Sequence, residues 1–141
     1  MPIMPPEWED SNGVMTAMVT RLRHEERLRL DAGRLQGFLD QMDEDAGEEA
    51  LCAALEGIAR DVSRVAALAR EEDCAALRTA LCALVPAADR VGVTTLARVA
   101  RDALHCVETG DAVARAAVLA RLARVGERSV AKVWDMRDIP V

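Results

Sequence analysis

The chain has 141 residues, enough for one domain with a substantial core, and a net charge of −6 at pH 7. Its 18 basic residues are interleaved with 24 acids, which argues against a nucleic-acid binder, since such binding runs on clustered cations neutralising phosphates. No apolar run approaches the ~18 residues that a membrane span needs, so no membrane partner is expected.

Hydrophobic residues make up 51% of the chain but aromatics only 2%. Ala, Leu, Arg, Glu and Met dominate, all strong helix formers, and an all-α protein with closely approaching helices is expected. The Pro-rich, acidic start, residues 1–12, reads as a mobile segment preceding a single domain over 13–141. It has no basic stretch followed by an apolar run, so a secretory signal is not expected and the cytoplasm is.

Residues 14–29 place Val14, Met15, Met18 and Leu22 at helical spacing and predict a first amphipathic helix. Asp31 is a candidate N-cap for a short second helix bearing Leu35, Phe38, Leu39 and Met42. Asp43-Glu-Asp-Ala-Gly47 reads as an acidic break. Four longer helices follow, at about 48–71, 74–91, 94–109 and 111–134. The first carries the stripe Leu51, Leu55, Ile58, Val62, Val65 and Leu68, and the second Leu77, Leu81, Leu84, Ala88 and Val91. The third carries Leu96, Val99, Ala103, Leu104 and Val107, and the fourth Val113, Ala117, Ala120, Val125, Val130, Val133 and Trp134. Asp73 and Asp111 are the expected caps, Gly92 is an expected left-handed stop, and Gly110 is expected to stop the third helix. Short loops make neighbours antiparallel, which predicts an up-down antiparallel four-helix bundle with one or two extra N-terminal helices.

Cys52, Cys74, Cys82 and Cys106 form no C-x-x-C pair and have no histidine at ligand spacing, so reduced thiols and no metal site are expected. No phosphate loop, catalytic triad or carboxylate pair stands out. No cofactor and no enzymatic activity are expected.

The segment Leu77-Arg-Thr-Ala-Leu-Cys-Ala-Leu-Val-Pro-Ala-Ala-Asp-Arg-Val-Gly-Val93 resembles the central helix of the histidine phosphotransfer (HPt) domain family. That family carries a His-x-Leu-Lys-Gly motif, with a second glycine six residues after the first. Anchored on Gly92, the phospho-acceptor position falls on Cys82, the leucine on Leu84, the lysine on Val85 and the first glycine on Pro86. The resemblance extends from about Leu30 to Val133, three quarters of the chain. It takes in Leu30-Asp-Ala-Gly-Arg-Leu35, the acidic turn Asp73-Cys-Ala-Ala-Leu77, Leu96-Ala-Arg-Val-Ala100 with Leu104, and Gly110-Asp111 before the last helix.

In the family, the resemblance implies, a solvent-facing histidine attacks a receiver's aspartyl phosphate. The lysine balances phosphoryl charge, and the glycine admits the partner's backbone. In this chain Val85 supplies no cation, Asp89 would repel phosphate, and Pro86 leaves the Cys82 carbonyl without its helical donor, so a kink is expected. Neither His105, near the end of its helix, nor His24, in a charged stretch, is followed by Lys-Gly.

The reading is therefore a pseudo-phosphotransfer protein of two-component phosphorelay signalling. It would bind a response-regulator receiver or a histidine kinase through Arg78, Cys82, Val85, Pro86 and Asp89, with Leu84 and Gly92 as framework. Two alternatives stay open: an active phosphoryl carrier using His105, or a helical adaptor unrelated to phosphorelays. The chain would be a monomer or a homodimer.

Overall fold

The computed structural model describes residues 26–138. Among them are five helices and no strand: α1 (Ala32–Asp40), α2 (Glu44–Glu71), α3 (Cys74–Arg90), α4 (Thr94–Thr109) and α5 (Ala112–Asp138).

One capping device recurs four times. The side chains of Asp31, Asp43, Asp73 and Asp111 accept from the backbone N–H of Arg34, Ala46, Ala76 and Ala114, at 2.9–3.0 Å. Each satisfies a donor that the first helical turn leaves unpaired. Asp43 corrects one expectation. The acidic stretch after it is not a break but the first turn of α2, with Glu44 and Asp45 at the positive end of the helix dipole. α2 thus begins at 44 rather than 48, and α5 runs on to 138 rather than stopping at 134. Only α4 starts without a side-chain cap, behind the buried Val93.

The expected first helix lies mostly outside the described residues. Its last part, from Glu26, is not helical. Here burial alternates: Glu26, Leu28 and Leu30 are half-buried while Arg27 and Arg29 are exposed. That is the period of an extended strand. Leu28 and Leu30 pack on the core, and the backbone is tied to α4 and its leading turn. Arg29 N–H donates to Thr95 Oγ1 at 2.6 Å, and Asp31 N–H donates to the Gly92 carbonyl at 2.7 Å. This strap lies across the α3–α4 turn and reaches α5, where Arg121 Nε donates to Glu26 Oε1 at 2.8 Å.

The long helices pack in a ring, each against two neighbours: α2 on α3, α3 on α4, α4 on α5 and α5 back on α2. The short α1 lies against α2 and α3. The predicted stripes of α2 and α3 are the core: Leu51, Leu55, Ile58 and Val65 meet Leu77, Leu81, Leu84 and Ala88. α4 contributes Leu96, Val99, Ala100 and Ala103.

α5 departs from expectation in its first half. The expected Val125 and Val133 are buried, with Leu122 and Ser129, and Val130 and Trp134 pack on the core, whereas Ala117 and Ala120 face outward and Val113 is 82% exposed. Where α2 and α5 cross, Gly126 lets them approach: a Cβ there would lie 2.7 Å from Val62 Cγ2. No helix among the described residues is long and apolar enough to cross a membrane.

Candidate functional site

The burial of Leu77, Leu81, Leu84 and Ala88 fixes which way α3 faces. Residues about half a turn away must look out, and Arg78, Cys82 and Pro86 are exposed, with Val85 and Asp89 half-buried at the margin. The five residues predicted from sequence thus form one surface strip along α3. Pro86 lies within the helix, which continues for four residues to Arg90.

Both ends of the strip are tied to neighbouring helices. Arg78 Nη2 lies 3.8 Å from Glu108 Oε1 on α4. Asp89 pairs with Arg101 of α4 through one carboxylate oxygen, and with Arg34 Nη1 of α1, at 3.5 Å, through the other. Because Arg78 and Asp89, near opposite ends of α3, reach Glu108 and Arg101 respectively, α3 and α4 run in opposite directions. Asp89 acts as a clasp joining α1, α3 and α4. Between the two ion pairs lie Cys82, Val85 and Pro86, without a charge of their own.

The sequence reading missed Arg34, Arg101 and Glu108 as neighbours of this strip. A signal existed for Glu108. In a helical hairpin turning at Gly92, residues at similar distances on either side meet, and Arg78 and Glu108 are such a pair of opposite charge, whereas Asp89 and Arg101 stand at unequal distances from the turn and gave no such signal. His105 lies one turn beyond Arg101 and is exposed. His24 lies outside the described residues.

Gly92 does more than end a helix. Its φ is +81°, and a Cβ would lie 2.5 Å from the Asp31 carbonyl oxygen. Only glycine allows the strap to cross the turn this closely. Its carbonyl accepts from Asp31 N–H, Thr94 N–H at 2.9 Å and Thr94 Oγ1 at 3.3 Å.

The strongest electrostatic perturbation lies away from the strip, on the strap. Hydrogen bonding from Arg121 holds the Glu26 carboxyl below its ordinary range against the opposing effect of burial, and Glu26 in turn raises Arg121. Arg121 also lies 3.8 Å from Asp102.

The thiols are all unpaired: Cys52 half-buried, Cys74 and Cys82 exposed, Cys106 buried. Arg115 Nη1 donates to Cys74 Sγ at 3.3 Å. Among the described residues no three His, Cys, Asp or Glu side chains gather into a metal-binding group.

The more enclosed grooves do not coincide with the strip. Pro86 and Asp89 border an open cleft against α1, with Arg34, Gly37 and Phe38. An apolar groove of about 400 Å³ runs instead between α2 and α5. Compared with protein-family models, with curated proteins and with solved structures, the chain matches none.

Proposed function

We propose that this protein is an HPt-like module of two-component signalling that binds a receiver domain or a histidine kinase without relaying phosphate. In this reading the ring of α2–α5 is the up-down four-helix bundle of the family, and α1 with the strap covers one end.

One observation carries the reading. The position that aligns with the phospho-acceptor, Cys82, faces solvent, while the aligned framework residues Leu84 and Gly92 hold the helix and its turn. The chemistry is missing at that surface: no imidazole at 82, no cation at 85, and an acid at 89 already clasped by two arginines. Those arginines, spent on Asp89, are not placed to receive a phosphoryl group at Cys82. What is left at the centre, Cys82 with Val85 and Pro86, is an uncharged patch rimmed by ion pairs. An apolar centre with a polar rim is the usual anatomy of a protein-docking surface and requires no phosphoryl chemistry to bind. The protein would act as a competitor or scaffold for its partner.

The test is phosphoryl transfer from a radiolabelled phospho-receiver to the purified chain. The expected result is receiver binding with no label on this protein. Label on Cys82 or His105, located by substituting each in turn, would contradict the non-relaying role.

A further inference from the structure

The first half of the α5 stripe expected in the core, Val113, Ala117 and Ala120, is an outer face. Val113, Ala117, Ala120, Arg124, Glu127 and Ala131 follow one another at steps of three or four and are all exposed. Beside it, Ala59, Val62 and Ala66 of α2 and Ala123, Gly126 and Val130 of α5 line the groove of about 400 Å³. Past the shared Ala66 and Ala123 a second groove of about 420 Å³ continues along Ala69, Ala116, Leu119 and Ala120. Small side chains along both helices let another helix approach closely.

Charge on this face is divided in two. On α2, Glu49 and Glu56 precede Arg60 and Arg70, whereas on α5 Arg124 precedes Glu127; all six are exposed. The helices run in opposite directions, since Arg137 near the end of α5 reaches Glu48 near the start of α2 at 3.3 Å. The two sign changes therefore fall at about the same level, near the Val62–Gly126 approach. One half of the face thus carries an excess of acid (Glu48, Glu49, Glu56 and Glu127 against Arg137) and the other an excess of base (Arg60, Arg70, Arg115 and Arg124 against Glu72).

We infer that the α2/α5 face is the interface of a two-fold homodimer, and that its occupant is a second copy of this chain. A two-fold axis perpendicular to the helices, passing near Val62 and Gly126, lays the acidic half of each copy on the basic half of the other. That self-complementarity is what an isologous interface requires, and the parallel arrangement would set like charges together. The size also fits. α2 and α5 have 28 and 27 residues, so the face is about 40 Å long and about 20 Å wide, or ~800 Å² per partner, the area typical of a stable complex. The α3 strip lies across the ring from this face and stays open in the dimer. The inference does not depend on the proposed function.

Sedimentation equilibrium on the full chain at about 100 µM tests it. Wild type is expected at twice the 15.3 kDa chain mass. A variant carrying Glu49→Lys and Glu56→Lys makes both halves basic; one carrying Arg60→Glu and Arg124→Glu makes both acidic. Each alone is expected to self-associate at least tenfold more weakly with unchanged helical circular dichroism, and an equimolar mixture to restore a dimer. A monomeric wild type would overturn the inference, as would reversal variants that dimerise as well as wild type or a mixture that stays monomeric.

Discussion

A methyl group at position 92 would lie 2.5 Å from the Asp31 carbonyl oxygen, whereas at position 110, also left-handed with φ +75°, it would meet nothing within 4 Å. The two glycines thus separate backbone strain from steric contact. Gly110→Ala should cost about 1 kcal/mol, the left-handed penalty alone. Gly92→Ala should cost at least ~2 kcal/mol more, because the Asp31 bond to the turn must also break. Urea denaturation of both variants checks this, and equal losses would show that the strap gives way freely.

Glu26 offers a second residue-level test. Its folded pKa lies below the ordinary 4.5 because Arg121 hydrogen-bonds its carboxylate. A carboxyl lowered by folding adds stability above its unfolded value, and that stability fades as pH falls through the folded value. With Arg121 side chain 37% exposed and Glu26 25%, solvent screening limits the contribution to ~1 kcal/mol or less. Glu26→Gln should therefore lower stability slightly at pH 7, and the difference from wild type should shrink as the pH drops below about 4.5. Thermal melts across that window measure it; a difference that grows on acidification would contradict the assignment.

At the scale of elements, helix ends were the most legible feature, because each Asp cap is a local device written in the residues it serves. Asp31, Asp73 and Asp111 were readable for that reason. The core faces of α2 and α3 were readable because leucines mark them. α5 was legible in its second half, where Val125 and Val133 mark the core, and misread in its first, because alanine marks no face: Val113, Ala117 and Ala120 keep helical spacing yet point outward, and only packing decides. The strap was misread because its alternation spans a few residues inside an Arg-rich run that also fits a helix. For the α3 strip, the exposed positions were legible from the opposing leucines. The Arg34 clasp was not, since it depends on where α1 lies.

Two helix substitutions probe these contacts. Gly126→Ala places a Cβ 2.7 Å from Val62 Cγ2, so overpacking should outweigh the ~1 kcal/mol gain in helix propensity and destabilise by about 1–2 kcal/mol. Adding Val62→Ala makes room, and the double variant should lose less than the two single losses combined. Strict additivity in denaturant unfolding would show that the helices do not meet there. Pro86→Ala restores a helical N–H at an exposed position within α3. It should raise the unfolding midpoint, by about 1 kcal/mol or more in stability. A loss of stability instead would mean that the α1 cleft depends on the proline ring.

At the scale of the molecule, the ring of helices presents two unlike faces. The α3 strip is uncharged at its centre and framed by ion pairs, while the α2/α5 face has a groove lined largely by small apolar side chains and flanked by charges of opposite sign in its two halves. The proposed signalling partner would dock on the first and another copy of the chain on the second. Cys82 is the better probe of the first because it is exposed and its replacement leaves the core untouched. The decisive measurement is affinity capture from native cell extract, wild type against Cys82→Arg, with mass spectrometric identification. The account predicts receiver domains or histidine kinases enriched on wild type and reduced at least tenfold on the variant. Absence of both classes, or enrichment indifferent to Cys82→Arg, would contradict it.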